Sequence, residues 1–167
     1  VTPVHGDTDA PSHPVASIPL KVDGYDLAPY LLFWHDKNGR ASFEEAFDHF
    51  NRGGFKLLPD GVPNLGFRKG SVWFYLGLNN PYVYKRMLLL EVDYAVLDQV
   101  EMYCSGPEQG PIYYPSGDHV QYDSRPLKVR NFVFPLPIEA LQSLDCLIRV
   151  RSNTNILLPL RAYDNLS

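Results

Sequence analysis

The sequence predicts an all-β fold, a jelly-roll or Greek-key β-sandwich with one or two short helices. Three observations predict it. Fifteen prolines and 12 glycines punctuate the 167 residues, which favours short strands joined by turns over long helices. Apolar residues make up 45% of the chain and aromatics 13%, enough for one domain with a sizeable core and too many for a disordered segment. Between the turn signals, apolar residues fall on one parity, as strand side chains do.

The elements follow in chain order. Residues 1–19 hold four prolines and several small polar residues and read as an extended leader, leaving residues 20–167 as a single domain. His5 and His13 in that leader read as solvated side chains, because a metal needs several converging ligands. Tyr30-Leu31-Leu32-Phe33-Trp34 reads as the first core strand, closed by the turn signal Asp36-Lys37-Asn38-Gly39. Ser42 and Glu45 form a capping box ahead of Phe43, Ala46, Phe47 and Phe50 at helical spacing, and Gly53-Gly54 stops that helix. Strands are then expected over 72–79, 86–93, 98–104, 112–114, 119–122, 131–136, 146–151 and 156–162, with a short helical turn over Ile138–Ser143.

The richest segment runs from Leu65 to Pro81. Val72, Phe74, Leu76 and Leu78 share one parity, while Trp73, Tyr75, Gly77 and Asn79 share the other. The aliphatic set can face a core, which leaves Trp73 and Tyr75 for a second surface. Arg149 and Arg151 lie off the Ile148/Val150 face of their strand, and Arg125 and Arg130 flank the strand carrying Phe132 and Phe134. Rings that stack on the C–H face of a pyranose, together with arginine forks that match hydroxyls or carboxylates, make these six residues a candidate carbohydrate site, acidic sugars included. The competing reading packs Trp73 under Phe43, Phe47 and Phe50 and pairs the arginines with Glu91, Asp93, Asp98 or Glu101.

Glu91, Asp93 and Asp98 cluster in sequence around one turn, with Asp118 and Asp123 further on. Calcium takes six to eight oxygen ligands, so the first three are the candidate metal set, although no EF-hand loop pattern is present. No G-x-S-x-G, H-E-x-x-H, C-x-x-C or phosphate-loop motif occurs, and His35, His49 and His119 are isolated, so the reading is a binding domain and not an enzyme. A net charge of −4 argues against a nucleic-acid partner. The chain contains no apolar run long enough to span a membrane and no signal-peptide pattern at its start. Cys104 and Cys146 read as two buried thiols at strand ends ahead of one disulfide, since two cysteines carry little information.

Taken in order, several blocks carry a family likeness. They are Leu65-Gly66 with Trp73, Leu78 and Asn80; Leu88-Leu89-Leu90-Glu91 with Leu97-Asp98-Gln99-Val100-Glu101-Met102-Tyr103; Arg125 with Arg130-Asn131-Phe132-Val133-Phe134-Pro135-Leu136; and Arg149-Val150-Arg151-Ser152. Over about residues 28–163 the chain resembles the type 2 extracellular domain of bacterial seven-transmembrane receptors with diverse intracellular signalling modules. The resemblance implies a jelly roll similar to carbohydrate-binding modules, in the periplasm, followed by seven membrane helices and a cytoplasmic output such as a histidine kinase. The resemblance does not itself settle the ligand; the similarity to carbohydrate-binding modules suggests a carbohydrate or other small ligand. Calcium sensing at the acidic turn and a homodimer or protein-interaction role stand as alternatives.

Overall fold

The computed structural model describes residues 13–93, 97–115, 118–121 and 130–164; for 118–121, 130 and 131 it describes the backbone. The strands are β1 (Val15–Ser17), β2 (Asp23–Asp26), β3 (Leu32–Asp36), β4 (Lys56–Leu57), β5 (Asn64–Phe67), β6 (Ser71–Asn79), β7 (Arg86–Val92), β8 (Gln99–Ser105), β9 (Ile112–Tyr114), β10 (Asp118–Gln121), β11 (Arg130–Ile138), β12 (Ser143–Arg151), β13 (Asn155–Leu157) and β14 (Leu160–Tyr163). A helix, α1 (Phe43–Asn51), follows β3.

The larger sheet runs β4-β3-β6-β12-β8-β9, with β1 added in parallel to the end of β6, and the smaller runs β10-β11-β7-β14-β2. From β6 onward the long strands alternate between them: β6, β8 and β12 in the larger, β7, β11 and β14 in the smaller. That alternation is the winding of a jelly roll. Val72, Phe74, Leu76 and Leu78 meet Leu88, Leu90 and Val92 in the core between the sheets. Burying that apolar surface is the main stabilising term.

Local chemistry explains the helix and its placement. Ser42 Oγ accepts from Glu45 N–H at 3.1 Å and Glu45 Oε1 accepts from Ser42 N–H at 3.0 Å, closing the expected capping box. Gly53 ends the helix at φ +78°, a conformation that favours glycine. The β5–β6 turn depends on Gly70 at φ +89°, where an added Cβ would lie 2.4 Å from the Asp36 carbonyl oxygen.

Cys104 and Cys146 face each other across β8 and β12 with Cα atoms 4.1 Å apart and form a disulfide. The bond joins residues 42 apart in sequence. Replacing both cysteines with alanine is expected to lower stability by about 3 kcal/mol, seen as a fall of roughly 6–12 °C in Tm. An unchanged melting curve for the double variant would refute a stabilising role.

Several expectations are corrected. The leader is not structureless throughout: β1 pairs with β6, Ala16 and Ile18 are fully buried, and Ile18 N–H donates to Asn79 O at 3.0 Å. Residues 1–12, with His5, lie outside the described residues. His13 is half-buried and packs edge-on against Phe50 and Tyr75. The helical turn expected over Ile138–Ser143 is instead the end of β11 and a turn, with Leu141 at φ +57°. The strand expected over 156–162 is split at Pro159, which has no N–H to continue a ladder; β13 pairs with β5 and β14 with β7. Short or weakly alternating, β2, β4 and β5 were missed by pattern alone.

Candidate functional site

On its outer face the larger sheet carries α1. Every residue from Ser71 to Leu78 is buried because β6 is covered on both sides, by the smaller sheet on one and, on the other, by α1 over Trp73 and Tyr75 and by Pro14 and Val15 over Gly77. Trp73 and Tyr75 do sit on the second face, as their parity predicts, but α1 seals them. The Phe43 ring meets Trp73 edge-on at 5.1 Å, and Phe50 stacks on Tyr75 at 3.8 Å. Both are 0% exposed, so the expectation that they present rings to a ligand is corrected: they are core. Burial, reinforced by a hydrogen bond to the Asp145 carboxylate, pushes the Tyr75 phenol pKa well up.

Past Trp73 the sheet face is open. Between the start of α1 and the β8–β9 hairpin lies a groove of about 530 Å³, lined by Phe43, Phe47, Tyr103, Tyr113, Glu44 and Arg149. Phe43 stacks on Tyr103 at 5.3 Å and meets Tyr113 edge-on at 5.3 Å, while Phe47 meets Tyr103 at 5.8 Å. Tyr113 is 48% exposed, so the aromatic wall is accessible from solvent.

The floor of the groove is a closed charge pair. Arg149 donates through Nε to Glu101 Oε1 at 2.8 Å and through Nη2 to Oε2 at 2.9 Å, and its Nη1 donates to Ala41 O at 3.2 Å. Glu101 is buried, and Tyr113 O–H donates to its Oε2 at 2.8 Å. That bond holds the Tyr113 phenol pKa above its usual value. The guanidinium also lies 5.1 Å from the Trp73 ring and 5.4 Å from the Phe43 ring, a cation–π arrangement. Paired twice and stacked on two rings, Arg149 is a structural fork more than a free hand for an anion.

Of the other predicted residues, Arg151 does not join it. Arg151 lies at the far end of β12, where Nε donates to Ser71 Oγ at 2.8 Å and Nη2 to Gly39 O at 2.7 Å. It borders a separate opening of about 610 Å³ with Phe67, Lys69, Asp98, Gln99 and Asn153. Arg130 opens β11, whose backbone pairs it with Gln121; Arg125 lies outside the described residues. Four of the six residues are therefore corrected: Trp73 and Tyr75 are sealed, and Arg149 and Arg151 border different openings, while the side chains of Arg125 and Arg130 lie outside the described residues.

The acidic set is also separated. Glu91 is on β7 in the smaller sheet, opposite Val133 and Arg161, whereas Asp98 enters β8 in the larger sheet and accepts from Asn153 N–H at 2.7 Å. Asp93 lies past the end of β7, where its N–H donates to Pro159 O. β7 and β8 belong to different sheets, so Glu91 and Asp98 are held by different layers. Among the described residues no three His, Cys, Asp or Glu side chains converge as metal ligands.

Sequence reasoning missed the groove itself. Its signal was present in parity: Glu101 and Tyr103 alternate with Val100, Met102 and Cys104, and the register sets Tyr103 beside Leu147 and Glu101 beside Arg149. What parity did not show is that the first turns of α1 reach Tyr103 and Tyr113 through Phe43 and Phe47 without sealing them, leaving Tyr113 48% exposed.

A jelly roll with an internal disulfide and an accessible aromatic groove on one sheet face is, as a class, a recognition domain of an oxidising compartment. Residues 28–164 match the family 7TMR-DISM extracellular 2, and the chain belongs to that family. It is accordingly an extracytoplasmic, periplasmic sensor domain of a seven-transmembrane receptor, tethered to the membrane. No curated protein matches the chain.

Proposed function

We propose that this domain senses a neutral saccharide bound in the groove of Phe43, Phe47, Tyr103 and Tyr113, and that binding biases the receptor toward one of two states, driving a cytoplasmic output such as a histidine kinase. The observation that supports it is the convergence of these rings on one solvent-open groove. Pyranose rings stack on aromatic faces, and the hydroxyls of Ser42 and the two tyrosines supply hydrogen bonds. Arg149 is already neutralised by Glu101, and Glu44 adds a carboxylate at the rim, so a neutral sugar suits the groove better than a uronate. A ligand shifts the receptor only by its difference in affinity for the two states.

Calorimetry against neutral and acidic oligosaccharides tests this reading. Tyr113→Ala is expected to keep the fold, because the ring is half-exposed, while removing about 1.5 kcal/mol or more of apolar contact with the ligand, a loss of at least roughly tenfold in affinity. Unchanged glycan affinity in that variant, or preference for uronates, would sink the proposal.

A further inference from the structure

At the edge of the larger sheet, beside β4, a third opening of about 320 Å³ collects positive charge. Lys37 lines it from the turn after β3, Lys56 from β4 and Arg68 from the turn between β5 and β6. No carboxylate among the described residues lines it. Asp36, next to Lys37 in sequence, is buried, and its two oxygens accept from the Gly39 and Ala41 N–H groups at 3.2 and 2.9 Å. Among the described residues none of the three cations has an ion-pair partner. The chain as a whole carries a net charge of −4, so three cations drawn from separate elements onto one small opening stand against the general balance. They repel one another, and a cleft lined by one sign of charge concentrates ions of the other.

The fold holds these groups in place. Arg68 donates from Nε to Leu65 O at 3.0 Å, and its Nη groups carry no hydrogen bond among the described residues. The half-buried guanidinium lies 6.0 Å from the Phe33 ring, a cation–π contact that sets its plane. His35 donates from Nε2 to Lys69 O at 2.6 Å, which fastens the turn carrying Arg68 to β3. Gly70 lets that turn close on the one carrying Lys37: an added Cβ would lie 2.4 Å from the carbonyl oxygens of both Asp36 and Lys37. The Trp34 ring, stacked on His49 at 4.1 Å, forms a fixed apolar wall beside the cations.

We propose that this opening binds a phosphate group, free or carried as a monoester on a small molecule. A phosphate monoester bears close to two negative charges and presents three strong acceptor oxygens, so it can meet donors arriving from three directions at once. A carboxylate offers two oxygens and one charge and would leave a cation unmatched. Arg68 supplies a planar fork and the lysines supply compact charges, and phosphate recognition draws on both. The opening is at the small end of the range for ligand sites, which suits one phosphate with a short organic body against Trp34. It shares no lining residue with the groove of Phe43 and Tyr113, so the proposal does not rest on the saccharide reading.

Calorimetric titration with sodium phosphate and with glycerol phosphate, at an ionic strength held constant with sodium chloride, tests it. The expected result is saturable binding at a single site. Arg68→Gln should weaken it about tenfold, the loss of a charge-assisted hydrogen bond. Lys37→Gln and Lys56→Gln should each weaken it severalfold, and both side chains are exposed, so these variants keep the fold. Lys85→Gln, at a lysine already paired with Glu139, should leave it unchanged. Tighter binding of glycerol phosphate than of inorganic phosphate assigns the site to phosphate esters, and equal binding assigns it to the phosphate group alone. The absence of saturable heat with either probe overturns the proposal. So does undiminished binding in the Lys37→Gln, Lys56→Gln double variant, or a loss in Lys85→Gln as large as in those variants, which would reduce the effect to net charge.

Discussion

Glu101→Ala is expected to destabilise the domain by about 3–5 kcal/mol, because it leaves the Arg149 guanidinium in a largely buried site without its partner. Glu101 is 4% exposed at its side chain and Arg149 18%, so solvent screens the pair little. The carboxylate also accepts from Tyr113, a bond the change removes. Converting the pair together, Glu101→Leu with Arg149→Met, should recover most of the loss, since well-packed apolar residues of similar volume often replace a buried ion pair at little cost. Urea unfolding of wild type, single and double variants forms the test. A single variant as stable as wild type, or a double variant no better than the single, would show that the pair does not organise the groove floor. Saccharide affinity measured on the double variant separates the two contributions: retained affinity assigns recognition to the rings, and lost affinity assigns part of it to the Arg149–Glu101 floor.

Alternation and punctuation carried most of the sandwich. The central strands β6, β7, β8, β11 and β12 fall where the sequence predicts them, within one to three residues at each end, because each combines a strong aliphatic parity with a turn signal. The helix was legible from Ser42, Glu45 and Gly53, whose roles depend only on near neighbours. Strands β1, β2, β4 and β5 were not, because a strand of two to four residues has too little alternation to read, and β1 exists only through its parallel pairing with Gly77–Asn79. The candidate site fared less well for a related reason. Parity correctly put Trp73, Tyr75, Arg149 and Arg151 on one outer face, but the extent of cover over that face is a tertiary quantity. It is set by where α1 lies and where it ends. The helix seals Trp73 but covers Tyr103 only in part and leaves Tyr113 half-exposed, so the aromatic groove opens toward β8 and β9, and of the residues first singled out only Arg149 lines it. The acidic set is close in sequence, but Glu91 lies on β7 of the smaller sheet and Asp98 enters β8 of the larger, a separation that sequence spacing does not reveal.

Trp73→Ala should cost about 3–5 kcal/mol, comparable to the loss of the Glu101 carboxylate, and for a different reason. The indole is 0% exposed and fills the space between the larger sheet and α1, against Phe43 on one side and the Arg149 guanidinium on another. Truncation leaves a cavity that neither β6, a central strand, nor the capped helix can close. The indole N–H is also the buried side-chain nitrogen that lacks a hydrogen-bond partner among the described residues. Trp73→Phe removes that unpaired donor while keeping most of the ring, so its cost should be well below that of alanine, about 1 kcal/mol. Chemical denaturation gives both values, and saccharide titration of whichever variants stay folded gives the functional reading. Since Trp73 supports Phe43 from beneath, Trp73→Phe should preserve binding to the groove almost unchanged. If that variant kept its stability and lost the ligand outright, Trp73 would be a contact residue after all, and α1 would have to lift from the sheet to admit the sugar.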